Sequence, residues 1–295
     1  PKPTVQMAIA PKNKGDEDKL GMALHRFLEA DPTLHIERDS LLHQTLISGM
    51  GDTHLEIVAS RLEAQAKTPV QLTAPRIQYR ETIAAGAEGQ GKYKKQTGGR
   101  GQYGDCWVRL KPLPRGEGFE FNWKIVGGVI PSNFQSSVEK GLRASLNRGI
   151  VAGYPVVDVA AECYDGSYHA VDSSDAAFQV AASLAFKNVA PKCKPQLLEP
   201  INKVTIIVPE DYMGDVMGYV SGKRGRIQGS EQEGGKVRVI AEVPAAEMAT
   251  FSQDLRSMTS GRSVFESEFD HYDPVPAAIV DKVIEEVRID HHEAE

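Results

Sequence analysis

The chain has 295 residues, a hydrophobic fraction of 41% and a formal net charge of −6. That length gives room for two or three globular domains. That charge excludes a surface that attracts nucleic acid as a whole, so any RNA contact must come from local basic patches.

Three cysteines, Cys106, Cys163 and Cys193, stand far apart in sequence and form no CxxC pair. This argues against a disulfide framework or a cysteine zinc site and for a reducing compartment. No apolar run is long enough to span a membrane, and no signal peptide is visible. The first residue is Pro1 rather than methionine, which reads as a fragment or a processed product.

Residues 1–75 carry the signals of a small α+β domain. Residues 4–10 alternate, with Val5, Met7 and Ile9 on one face, which predicts a strand. Residues 16–30 place Leu20, Leu24, Phe27 and Leu28 at helical spacing. Strands follow at 34–38 and 44–48. A second helix over 52–66 has Leu55, Val58, Ala59 and Leu62 on one stripe, and a short strand covers 70–73. The order βαββαβ predicts a ferredoxin-like split motif, with Pro75 at a linker.

The middle, residues 76–200, opens with KYKKQTGGRGQYG over 92–104. Lys92, Lys94, Lys95 and Arg100 occur there with no acid, and Gly98, Gly99, Gly101 and Gly104 disfavour a regular helix. Glycine tolerates positive φ and lets another backbone come close. Tyr93 and Tyr103 offer flat faces on which a base could stack. Two readings stand side by side: a loop that follows a phosphate backbone, and a solvated hairpin tip.

Cys106, Val108 and Leu110 then alternate with Trp107, Arg109 and Lys111 in a strand. Residues 119–125 are expected to pair with it after a turn at 114–118. Phe134, Val138, Leu142 and Leu146 step along a helix, and Val157, Val159, Ala161 and Cys163 mark another strand. Asp172 or Ser173 is expected to cap a helix running to Val189, whose Ala176, Phe178, Val180, Ala181, Leu184 and Phe186 predict burial nearly all round. A second loop, YDGSYHAV over 164–171, joins strand to helix. Both loops are expected at one end of this unit.

Residues 201–295 repeat the first order. Val204, Ile206 and Val208 form a strand face, and Met213, Val216, Met217 and Val220 a helix stripe. Residues 226–229 and 236–243 read as a hairpin. Met248, Phe251, Leu255 and Met258 form a helix stripe, and 264–269 a closing strand. The polar tail after Val287 is expected to fray.

Gly86 to Lys92 fits G-x-x-x-x-G-K, but Tyr93 follows where Ser or Thr should hold magnesium, and no helix follows. The match is accidental. Gly222-Lys223-Arg224-Gly225 fits a GXXG clamp. Its place between helix and strand favours a glycine C-cap, with Lys223, Arg224 and Arg226 as a phosphate patch. His169 sits near Asp165 and Asp172. No further ligands, nucleophile or cleft mark a metal or catalytic site, so chemistry alone leaves it exposed to solvent. His54 and Glu56 read as surface or cap residues, and His291 and His292 as tail.

Seven segments together, LISGMGDTHLEI (46–57), YRETI (79–83), QTGGRGQYG (96–104), GGVIP (127–131), YDGSYHAVDSS (164–174), YMGD (212–215) and DLRSMTSGR (254–262), resemble bacterial elongation factor G over nearly the whole chain. The resemblance implies an α+β architecture. A ferredoxin-like third domain (1–75) and a ferredoxin-like fifth domain with a tail (201–295) flank a ribosomal-protein-like fourth domain (76–200). The family is a GTP-driven ribosomal translocase, a cytoplasmic protein acting on the ribosome, tRNA and mRNA.

By resemblance, two tip loops of the fourth domain contact tRNA or mRNA. The first is Lys94, Lys95, Gln96, Thr97, Gly98, Gly99, Arg100, Gly101, Gln102, Tyr103 and Gly104. The second is Asp165, Gly166, Ser167, Tyr168 and His169. Ser48, Gly49, Met50 and Gly51 fall at the junction that relays the GTPase state. Lys223, Arg224 and Arg226 fall where the fifth domain meets large-subunit RNA. No residue is implied as catalytic and none as a metal ligand. GTP and magnesium belong to a GTPase domain that no segment here resembles. The chain is expected to be monomeric and to touch both ribosomal subunits and no membrane.

Asp52-Thr53 stands where the family has Glu-Leu, and the KYKK lead-in resembles paralogous elongation factor G-like proteins. A recycling or ribosomal-protection paralogue is the alternative from the same superfamily. A free-standing RNA-binding protein is the alternative from another class.

Overall fold

The computed structural model describes residues 5–96, 99 and 101–289. The first domain is β1 (Val5–Pro11), α1 (Glu17–Ala30), β2 (His35–Asp39), β3 (Gln44–Gly49), α2 (Asp52–Ala66) and β4 (Val70–Thr73). Its antiparallel sheet has the order β2-β3-β1-β4, which is the ferredoxin-like arrangement. The alternation of β1 turns Ile9 inward, and the helical stripes contribute Leu20, Leu24, Leu55, Val58 and Leu62 to the same core.

The middle begins with β5 (Arg80–Ile83), β6 (Ala87–Lys95), β7 (Gln102–Pro112) and β8 (Phe119–Trp123). α3 (Gln135–Arg148), β9 (Val159–Ser167) and α4 (Asp175–Val189) follow. The last part contains β10 (Pro195–Pro209), α5 (Met213–Gly222), β11 (Arg226–Glu233), β12 (Lys236–Pro244), α6 (Phe251–Met258), β13 (Val264–Pro274) and α7 (Val280–Val287). The order β11-β12-β10-β13 repeats that of the first domain. Val204, Ile206, Val208, Val216, Val220, Phe251 and Leu255 form its core. The fold is therefore α+β with two ferredoxin-like copies. Two compact units result: residues 5–78 with 200–271, and residues 79–199 with 272–289. The tail runs into the second unit: Ile289 N donates to Ala152 O at 2.9 Å, and the Tyr154 hydroxyl to Val287 O at 2.9 Å.

In the middle unit the sheet order is β6-β7-β9-β8. The expected pairing of 119–125 with the Trp107 strand is wrong. β8 lies parallel to β9, and β9 separates it from β7. Asp158, buried and at φ 60°, enforces this. Its carboxylate accepts from Gly116 N and Gly118 N at 3.0 Å and from Arg115 Nη1 at 2.7 Å, so the 114–118 turn is tied to the start of β9.

The stretch 92–104 is mostly strand. Lys92 to Lys95 continue β6, and Gln102 to Gly104 begin β7, with Lys95 opposite Gln102. The Gly86–Lys92 match accordingly lies mainly along extended backbone. Two glycines of this hairpin are required by close approach. A Cβ on Gly91 would run into Ala181 O and Ala185 N of α4 and come within 2.7 Å of Ala185 Cβ. A Cβ on Gly104 would meet Ala177 O and lie 2.7 Å from the Ala177 carbonyl carbon. Helix backbone thus sits directly on strand backbone.

The α4 stripe that is buried is Ala177, Phe178, Ala181, Ala182, Ala185, Phe186 and Val189. Ala176 and Val180 are exposed, contrary to the expectation of burial nearly all round. Ser174, not Asp172 or Ser173, caps the helix: its hydroxyl accepts from Ala177 N at 3.2 Å. The expected loop 164–171 is half strand, because β9 continues to Ser167.

Glu81 is fully buried. Its carboxylate accepts four backbone N–H groups, from Ile150 (2.6 Å), Val151 (2.8 Å), Ala152 (2.9 Å) and Tyr154 (3.0 Å). These backbone donors replace the water that both oxygens lose on burial.

Two outcomes follow for stability. Both tryptophans, Trp107 and Trp123, lie in the middle unit, so fluorescence-detected urea unfolding reads this unit alone. Glu81→Gln turns an amide N–H₂ toward N–H donors and should cost about 3 kcal/mol. Gly91→Ala should cost at least about 3 kcal/mol, because the obstructing atoms include α4 backbone that cannot rotate away. Wild-type midpoints in either variant would refute the corresponding contact.

Candidate nucleic-acid interface

Two loops meet at one end of the middle unit. The first is the β6–β7 tip, described at Gln96, Gly99 and Gly101; Thr97, Gly98 and Arg100 of the predicted site lie outside the described residues. The second is 168–174, between β9 and α4. Backbone ties them together: Tyr103 N donates to Asp172 O at 2.9 Å, and Gly101 N to Asp172 Oδ1 at 3.1 Å. Lys94, Lys95, Gln96, Gly101, Gln102, Tyr103, His169 and Asp172 line an open cleft of roughly 220 Å³ between them.

A hydrogen-bonded chain supports this cleft from below. Asp105 is buried and accepts from Gln90 Nε2 at 2.7 Å and from Ser167 Oγ at 2.6 Å. Ser167 Oγ lies 2.7 Å from the Tyr103 hydroxyl. With its proton given to Asp105, Ser167 accepts from the phenol. Tyr103 is thereby held upright, with Lys92 Nζ 5.7 Å from its ring centroid and the His169 ring 6.4 Å away. Tyr93, by contrast, packs against the core, and its hydroxyl donates to Gln102 Oε1 at 2.8 Å. Of the two stacking faces read from the sequence, only Tyr103 lines the cleft.

Lys94 and Lys95 line the cleft and Lys92 lies beside the Tyr103 ring, all three exposed, as are Gln96 and Gly99, while Asp172 adds an acid to the lining. Asp165 is exposed, its Oδ1 accepting from Gly166 N at 2.8 Å, and Tyr168 is 47% exposed. His169 N donates to Ser173 Oγ at 2.9 Å, and Ser173 N returns a bond to His169 O at 3.0 Å. The sequence reading missed Gln90 and Asp105 as supports. A lone acid between Gly104 and Cys106, at the head of an apolar strand, was the available signal.

Ser48 and Gly49 end β3, and Met50 and Gly51 form the turn into α2. Met50 N donates to His54 Nδ1 at 3.1 Å, and the other ring nitrogen lies 3.0 Å from Asp31 Oδ2. The Thr33 hydroxyl and amide, with a smaller share from His54, hold the Asp31 carboxyl below its ordinary value. His54 is thus the tie that fixes this turn. Ser48 Oγ accepts from Gln6 Nε2 at 3.2 Å, and Met50 is 40% exposed.

Lys223, Arg224 and Arg226 follow α5. Arg224 takes the left-handed conformation, φ 55°, and Gly225 N donates to Val220 O at 2.9 Å. This is a Schellman helix end with arginine at the position that glycine usually fills. Arg224 Nε bonds Glu247 Oε1 at 2.9 Å, and Lys223 Nζ lies 3.2 Å from Thr250 Oγ1 and 3.6 Å from Asp254 Oδ2. Lys223 and Arg224 therefore meet acids of their own unit.

Two further groups of titratable side chains lie together among the described residues. Contact with the Cys163 thiol, then burial, pushes the Cys106 thiol far above the ordinary range, so Cys106, distant from Cys163 in sequence and adjacent to it in the core, stays a thiol. Among the described residues, Glu242, Asp270 and His271 converge within 4.8 Å. His271 Nδ1 is already 2.6 Å from Asp270 Oδ2, so two of the three groups are hydrogen-bonded to one another. No described helix is long and apolar enough to cross a membrane.

Comparison with known families finds three matches in sequence order: residues 1–74 with elongation factor G domain III, 75–194 with elongation factor G domain IV, and 196–283 with the elongation factor G C-terminus. A crystal structure of a protein from Thermus thermophilus is similar at a TM-score of 0.89 and 45% identity. The similarity covers 97% of this chain and 43% of that one, so the chain spans less than half of the protein it matches.

The Lys223 network has a pH signature. The Thr250 hydroxyl, then the Tyr219 hydroxyl, and to a smaller extent Lys223 hold the Asp254 carboxyl below its ordinary value, against a smaller opposing effect of burial. A depressed carboxyl stabilises the fold above its unfolded pKa of about 3.9, and that contribution is lost as pH falls through the folded value. Asp254→Asn should therefore flatten the decline in stability below about pH 4, measured by urea unfolding at stepped pH. Parallel wild-type and variant profiles would show that Asp254 carries none of it.

Proposed function

The chain belongs to the elongation factor G family, and from that premise we propose that it is the ribosome-engaging part of a translation factor, whose middle unit contacts tRNA and mRNA at the decoding region. The observation that carries this reading is the convergence of the two tip loops on one cleft. Lys92, Lys94 and Lys95 flank it, and Tyr103 and His169 stand within it. Cations with an upright aromatic ring suit a phosphodiester chain with bases or sugars against the ring. The net charge of −6 makes this local patch, not the whole surface, the source of RNA attraction.

In the same reading, Ser48 to Gly51 and the His54 tie pass on the state of a GTPase domain carried elsewhere in a longer protein. GTP and magnesium bind there and not here. The Lys223–Arg226 end of α5 meets large-subunit RNA, with Lys223 and Arg224 steadied by Asp254 and Glu247. The factor acts as a monomer in the cytoplasm, and its work is to move or hold tRNA with mRNA.

The test is ribosome binding of a full-length factor carrying this chain, measured across a salt series. Each phosphate contact on single-stranded RNA contributes roughly −0.7 to the log–log slope. Replacing Lys94 and Lys95 by alanine should reduce the slope by about 1.4 in magnitude. Melting should barely change, since exposed loop substitutions cost within about 0.5 kcal/mol. An unchanged slope with unchanged melting makes the hairpin tip a solvated loop and removes the RNA reading.

A further inference from the structure

Glu242, Asp270 and His271 belong to the second ferredoxin-like domain. Glu242 lies in β12 between Ala241 and Val243, both in the core, so its side chain is on the opposite face of the sheet. β12 and β13 flank β10. From β13, Asp270 and His271 bring a carboxylate oxygen and a ring nitrogen within 4.8 Å of a Glu242 oxygen. Neighbours along a strand ordinarily point to opposite faces, yet Asp270 Oδ2 and His271 Nδ1 lie 2.6 Å apart. Lys203 of β10 stands directly opposite Glu242. Even so, among the described residues the Glu242 carboxylate makes no ion pair with it and no hydrogen bond. Two carboxylates thus converge on one imidazole, which repulsion opposes unless a cation or a proton is held there.

We infer that Glu242, Asp270 and His271 form a binding site for a divalent transition-metal ion, zinc above all. One imidazole nitrogen with carboxylate oxygens is a donor set that zinc accepts. Magnesium and calcium take oxygen ligands, so the histidine selects against them. The two positive charges of the ion cancel the two carboxylates and remove their repulsion. The ring binds as neutral imidazole, and any proton beyond that leaves to solvent when the ion binds. Three protein ligands leave a further position for water. Solvent can supply it, because the Asp270 and His271 side chains are 42% and 35% exposed. The ion's role is structural. β13 ends the sheet order, and the ion fastens it to β12, a strand that is not its sheet neighbour. The competing occupant is a proton, since an imidazolium would offset one of the two carboxylates without any metal.

The probe is zinc chloride, titrated calorimetrically into the whole 295-residue chain after chelator treatment. His291 and His292 are adjacent in the tail and would draw zinc themselves, so the reference protein carries H291A and H292A. It should bind one zinc per chain, saturating at micromolar metal, and its melting temperature should rise with zinc. Excess magnesium should not compete. E242Q and H271A should each weaken zinc binding at least about tenfold, the lower end of what losing even an outer-shell partner costs. Circular dichroism melts without zinc check that both variants fold. Histidine ring NMR of the reference protein gives a readout that needs no folded variant: zinc should shift the His271 resonances before those of any other histidine. Zinc binding that disappears with the tail substitutions, affinity unchanged in E242Q and H271A, or magnesium binding as tightly as zinc would each overturn the site. So would a first zinc shift at a histidine other than His271. No saturable binding at all would leave the proton as the occupant and overturn it equally.

Discussion

The middle unit depends on the absence of side chains at Gly91 and Gly104. Because α4 rests there on bare strand backbone, its facing positions must be small, and Ala177, Ala181 and Ala185 meet that need. The contact also sets the height of everything attached to α4. Gly104 lies under the first turn of the helix, so the loop that enters α4 has to pass over Tyr103, next in the strand. The bonds from Tyr103 N and Gly101 N to Asp172 are the outcome. The cleft is therefore positioned by packing several residues away from any group that would touch a ligand.

Three buried carboxylates complete the frame, and each joins segments remote in sequence. Glu81 gathers the 150–154 loop, Asp158 holds the 114–118 turn, and Asp105 supports Ser167 and through it Tyr103. Buried charge of this kind is tolerated because N–H or O–H donors replace the water that was lost.

The ferredoxin-like halves were legible because period-2 and period-3.6 signals are strong there: Val5, Met7 and Ile9 in β1, and Leu55, Val58 and Leu62 in α2, sit where the pattern puts them. β6 was hidden, because Ala87 to Lys95 reads Gly-polar-Gly and its apolar partner is a helix backbone rather than side chains. The partner of β8 was hidden for another reason: Asp158 acts across some forty positions, and no local pattern carries that. The two tip loops could be foreseen at one end from strand order alone. Their supports could not, since Asp105 and Gln90 look like ordinary polar strand residues. Nor could the partners of Lys223 and Arg224, which come from the 247–254 segment on the other side of a hairpin.

The closing bonds of the middle unit come from the far end of the chain. Tyr154 and Ala152, in the loop that Glu81 gathers, are met by Val287 and Ile289, the first of these 133 positions later. Protein synthesis delivers these partners in a fixed order. Residues 79–199 emerge first, then the whole of the second ferredoxin-like domain, and only afterwards α7. A nascent chain therefore carries an unlatched middle unit for the time needed to make about a hundred further residues, at roughly 5–20 residues per second a matter of seconds. During that interval the bonds to Glu81 must gather the 150–154 loop without the latch.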